Sequence, residues 1–122
     1  MKLLNRSALA IHAKAPFADW VLQLPADEDA PLGPVSRESL LAEGNVYLID
    51  EVEDEADLTA AIGQRWQTIF ENELAAWDEF GDAWPSPLTA ELFAEWFEVK
   101  PQLMTFDLAD DTLLVAPLSD AF

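Results

Sequence analysis

The sequence predicts an α/β or α+β domain, a sheet of three or four strands packed by one long amphipathic helix and two or three shorter helices. Three observations carry this. Apolar residues alternate at period two in some segments and recur every three to four positions in others. Proline and glycine punctuate the chain between those segments. Hydrophobic residues make up 51% of the 122 positions, enough to bury the core of a single domain spanning 1–122.

In chain order, "SALAIHAK" at 7–14 alternates Leu9, Ile11 and Ala13 against Ala8, Ala10 and His12, and it reads as a strand with small residues on its second face. "PFADWVLQL" follows with Phe17, Trp20, Val21 and Leu24 at helical spacing behind Pro16, which suits a first helical turn. Pro25, Pro31, Gly33 and Pro34 make 25–36 a loop. "SRESLLAEG" then forms a helix of one or two turns ending at Gly44. "NVYLIDEV" at 45–52 is nearly continuous apolar, which suits an inner strand covered on both faces with Val46, Leu48 and Ile49 buried.

The longest element begins in "EDEADLTAAIGQRWQTIFENELAAW". Leu58, Ala61, Ile62, Trp66, Ile69, Phe70, Leu74 and Trp77 form one stripe of an α-helix. The acids from Glu53 to Asp57 lie at its N-terminus, where the exposed amides and helix dipole favour negative charge. A further helix is expected over 86–99, with Ser86 as cap, Pro87 in first position, Leu88, Leu92, Phe93, Trp96 and Phe97 on one face, and Pro101 as its stop. Trp66, Ile69 and Trp96 are expected in the buried helical layer. "QLMTFDL" reads as a strand, which "TLLVAPL" could join as a hairpin.

Several chemistries are excluded. Cysteine is absent, which removes disulfides, thiolate metal sites and thiol nucleophiles. The four glycines stand apart at 33, 44, 63 and 81, so no glycine-rich phosphate loop exists. His12, the one histidine, lies within a strand with no nucleophile pattern around it and reads as structural. No cofactor is implied. No apolar run approaches the ~20 residues of a membrane span, and a soluble cytosolic protein is expected.

Charge is the dominant compositional signal: 24 Asp and Glu against 6 Lys and Arg give a net charge of −18. Residues 1–18 contain Lys2, Arg6 and Lys14 and no acid, so the acidity belongs to the remainder. With five Trp and 11% aromatic residues, this acidity lies on a folded surface, not on a disordered tail. Its field repels nucleic acid and anionic membranes and attracts cations or basic proteins.

Two sites are expected. The first is "WDEFGDAW", where Phe80 and Trp84 stand among Asp78, Glu79 and Asp82. Trp77 continues the helical stripe inward. Phe80 and Trp84 either brace the angle between two helices or form an exposed aromatic anchor for a basic protein partner. The second is a carboxylate site for a divalent cation, built from Asp50, Asp107, Asp110 and Asp111 if the strands they follow run parallel. These sites give two functions, a non-catalytic binding module for a basic protein and a metal-dependent enzyme; the first is favoured.

"NRSALAI", "PFADW", "VYLID", "RWQTIFENELAAW", "WP" and "LFAEWFEV" before "FDL" resemble a family of small acidic bacterial proteins. The likeness covers most of the chain except the proline-rich loop and the stretch after Leu108. It implies a bacterial cytosolic protein and assigns no activity.

Overall fold

The computed structural model describes residues 1–25 and 36–118, so the loop expected at 25–36 lies, apart from its two ends, outside the described residues. The described elements are β1 (Lys2–Leu4), β2 (Arg6–Ala13), α1 (Ala15–Gln23), α2 (Arg37–Ala42), β3 (Gly44–Asp50), α3 (Glu55–Ala75), α4 (Ala90–Trp96), β4 (Phe97–Gln102) and β5 (Thr105–Asp107). The fold is α+β. β2 is the centre of a three-stranded sheet ordered β3-β2-β4, and β1 and β5 form a separate two-stranded ribbon. Every pairing is antiparallel.

The period-two pattern of β2 explains its central place. Leu9 and Ile11 are fully buried on the face that meets the helices, while Ala8, Ala10 and His12 alternate on the other. Ser7 is also fully buried at the start of the strand. Its hydroxyl donates to the Leu103 carbonyl at 2.9 Å and accepts the Val52 amide at 3.0 Å, tying together the segments that follow β3 and β4. At the far end of the pairing, a Cβ on Gly44 would come within 2.6 Å of the Ile11 carbonyl oxygen. Only glycine permits that approach of β3 to β2.

α3 is set by its cap and its stripe. The Asp54 carboxylate accepts the Asp57 amide at 2.8 Å, and Glu55 and Asp57 lie in the first turn. Ile69, Phe70 and Leu74 are buried at its C-terminal half, whereas Leu58, Ala61 and Ile62 are only half-buried. α1 contributes Phe17, Ala18 and Val21, α4 contributes Phe93, and β4 contributes Phe97. The aromatic rings meet in the core: Phe17 and Phe97 lie 4.7 Å apart, and Phe70 meets Phe97 edge-on at 5.6 Å.

Four expectations are corrected. β3 is an edge strand, not an inner one: Ile49 is buried, but Val46 and Leu48 expose 65% and 49% of their surface. β4 pairs with the free edge of β2, which makes β2, and not the 45–52 run, the strand flanked on both edges. The helix expected over 86–99 is shorter, capped by Thr89, whose hydroxyl accepts the Leu92 amide at 3.0 Å. It stops at Trp96 because Phe97 and Val99 alternate with Glu98 and Lys100, the pattern of a strand closing the second edge of β2. Pro101 belongs to that edge strand, where proline is tolerated. Residues 112–118 form no strand, and Leu113, Leu114, Val115 and Leu118 stand exposed. Trp66 and Trp96 pack against the core but are only half-buried.

Candidate functional site

The stretch after α3 is a turn with a dense internal scaffold. α3 ends as the Trp77 and Asp78 amides donate to the Leu74 carbonyl at 3.1 and 2.9 Å. Gly81 adopts φ +78°, a left-handed conformation that favours glycine. Asp78 then braces the turn twice. Its carboxylate accepts the Ala83 amide at 2.6 Å, and its carbonyl accepts the Trp84 indole N–H at 2.8 Å. From α1, the Trp20 indole donates to the Ala83 carbonyl at 2.9 Å, fastening the turn to the body of the domain.

The two readings of this stretch divide between its residues. Trp84 is half-buried against the core, and with Asp78 it fixes the path of the chain. Phe80 does the opposite: it exposes 84% of its surface, with Glu79 and Asp82 exposed beside it in sequence. Trp77, expected to continue the stripe inward, lies beyond the last helical residue and exposes 37% of its surface. The helix unwinds before the stripe can carry it into the core. The result is an exposed aromatic ring on a braced loop, with solvated carboxylates one position before it and two after it in sequence.

The carboxylates of the expected metal site are not brought together. Asp50 ends β3 opposite Arg6 in one sheet, whereas Asp107 ends β5 opposite Lys2 in the other. The antiparallel pairings remove the shared strand-end edge on which the site depended. Asp107 is instead occupied locally, pairing with Lys2 at 3.5 Å and accepting the Ala109 amide at 2.9 Å. Asp110 and Asp111 are exposed in the segment that follows. Among the described residues, no group of three or more His, Cys, Asp or Glu side chains is placed to hold a metal ion.

A different carboxylate is the one that sequence reasoning passed over. Glu73 lies four positions after Ile69 and three after Phe70, on the buried stripe of α3, and exposes only 8% of its surface. A lone acid at a stripe position was the available signal. Its carboxylate accepts the Asn45 amide group at 3.0 and 3.1 Å and the Tyr47 hydroxyl at 3.2 Å. Tyr47 in turn accepts the Asn72 amide group at 2.8 Å. Burial pushes the Glu73 carboxyl above the usual glutamate range, partly offset by the hydrogen bonds from Asn45 and Tyr47. Burial also pushes the Tyr47 phenol up, so it stays protonated and donates.

No described helix is long and apolar enough to cross a membrane. Comparison with protein-family models, curated proteins and solved structures returns no match.

Proposed function

We propose that this protein is a non-catalytic binding module for a basic protein partner, which it grips through Phe80 with Glu79 and Asp82 beside the ring. The observation that carries the reading is the pairing of an 84% exposed phenylalanine with a loop held by hydrogen bonds to Asp78, from the Ala83 amide and the Trp84 indole, and from the Trp20 indole to Ala83. A ring presented on a fixed loop loses little freedom on docking, and it supplies apolar area at the centre of a contact. The net charge of −18 supplies long-range attraction for a positively charged partner and repels nucleic acid. In the same reading the protein works in the bacterial cytosol, as the sequence resemblance implies.

The test begins with affinity capture from native extract at low and moderate salt, followed by purification of the captured protein and kinetic measurement with defined variants. Phe80→Ala should keep the wild-type melting temperature and weaken binding by more than about tenfold, the loss of a central aromatic anchor. Glu79→Gln with Asp82→Asn should slow association chiefly at low salt. If the captured protein is not basic, or if neither set of changes alters its binding, the reading fails.

A further inference from the structure

A second feature, independent of the Phe80 turn, lies where α3, β3 and α2 meet. A cleft of about 600 Å³ opens there, within the size range of small-ligand sites. Ile11, Phe17, Leu40 and Phe97 give it apolar walls, and Trp77, 37% exposed, lines it as well. Glu73 and Asn45 contribute the polar part of the lining, and Glu43 adds a second carboxylate.

Glu73 is unusual within this setting. A carboxylate on the buried stripe of a helix is costly to ionise unless a cation or several donors attend it. Its donors here, Asn45 and Tyr47, are both neutral, and among the described residues no lysine, arginine or histidine forms an ion pair with it. The other charged residue in the lining, Glu43, is acidic as well. Asn45 and Tyr47 fix the orientation of the carboxylate, Asn72 fixes the tyrosine, and, Glu43 and Gly44 apart, the remaining walls are hydrocarbon or aromatic. Such a site has shape for an apolar body and a negative pole, Glu73 with Glu43 in the same lining, for a positive end.

We propose that this cleft binds an organic cation, an ammonium or guanidinium group on an apolar stem, with its charge at Glu73 and its stem against Phe17, Leu40 and Phe97. The same chemistry is offered by a free amine and by a lysine or arginine side chain of another protein. Trp77 adds an aromatic face that a cation can approach. Burial raises the proton affinity of Glu73, and a cation seated beside it would favour the ionised carboxylate that burial disfavours.

The test is titration of the protein at neutral pH and fixed ionic strength, followed by NMR at the Asn45 side-chain amide and the Trp77 indole. The probes are phenethylammonium chloride, phenethyl alcohol as its uncharged counterpart, and capped tripeptides with central lysine or arginine. The ammonium should shift both resonances saturably, and the alcohol should bind at least about tenfold more weakly, as expected when the contact is charge-assisted. Glu73→Gln should lose the ammonium site, whereas Phe80→Ala should leave it intact while weakening the proposed protein contact. Saturation by the free amine alone identifies a small-molecule ligand, and saturation by the tripeptides identifies a protein side chain. Equal binding of alcohol and ammonium, unchanged binding in Glu73→Gln, or no saturable shift with any probe overturns the proposal. The comparison of alcohol and ammonium on the unaltered protein needs no variant to fold.

Discussion

Phe70 and Phe80 are ten positions apart in one chain, and Glu73 and Glu79 are six apart, yet each pair has opposite surroundings. Phe70 is fully buried among Phe93, Trp96 and Phe97, whereas Phe80 is 84% exposed. Glu73 is held by neutral donors inside the fold, whereas Glu79 lies in solvent. Residue type decides none of this. What differs is position relative to the end of α3: up to Leu74 the helical period turns every third or fourth side chain inward, and after Ala75 the braced turn replaces that period. Phe70, before the break, stabilises the fold, and Phe80, just after it, is free to meet another molecule.

The largest effect that this contrast predicts is Phe70→Ala, which should cost about 3–5 kcal/mol in denaturant unfolding, as buried aromatic truncations do. A cost near 1 kcal/mol would mean that the aromatic core repacks and that burial is not what distinguishes Phe70. Within α3 itself, a Cβ on Gly63 would meet nothing within 4 Å, so Gly63→Ala should stabilise the protein by about 1 kcal/mol through helix propensity alone. A loss there would show that the exposed half of α3 has a partner.

A smaller change is expected at Glu73, and its sign follows from linkage. With its carboxyl raised by burial, the folded state binds a proton more tightly than the unfolded chain. Stability is therefore complete below the ordinary glutamate range and is lost as pH rises through the raised value. Glu73→Gln, which does not titrate, should melt above the wild type at pH 7, and the gap should close as pH falls below that range. A gap that is constant with pH would leave the burial argument without support. Least of all should Phe80→Ala matter to stability, within about 0.5 kcal/mol, as for exposed positions generally. A larger loss would place Phe80 in the hinge and not on a recognition surface.

The same break in periodicity sets what was legible in the sequence. The α+β class, β2, α1 and the long helix follow from local patterns whose period is written in Leu9 and Ile11 or in Ile69, Phe70 and Leu74. The place of β3 does not. Val46 to Ile49 is apolar whichever strand flanks it, and edge or centre is decided by β4, which joins β2 from far along the chain. Phe97 reads as helical because it extends the apolar face of α4, although the alternation of Phe97, Glu98, Val99 and Lys100 carries the strand period. For the turn, the crowding of acids and aromatics was visible, but the division of labour between Trp84 and Phe80 depends on indole and carboxylate hydrogen bonds that only the fold creates. The expected metal carboxylates failed for a topological reason, the antiparallel pairing of their strands in two separate sheets.

The position of β2 also has a consequence in time. Its partners along one edge are Phe97–Gln102, so during synthesis the strand leaves the ribosome long before that edge can be closed. At translation rates of about 5–20 residues per second, the delay is on the order of ten seconds. For that interval an apolar strand with an open edge must persist in the nascent chain, a state that invites pairing with other chains. Moving the Phe97–Gln102 segment ahead of β2 by circular permutation would shorten the wait, and the permuted protein should give less aggregate when translated without chaperones.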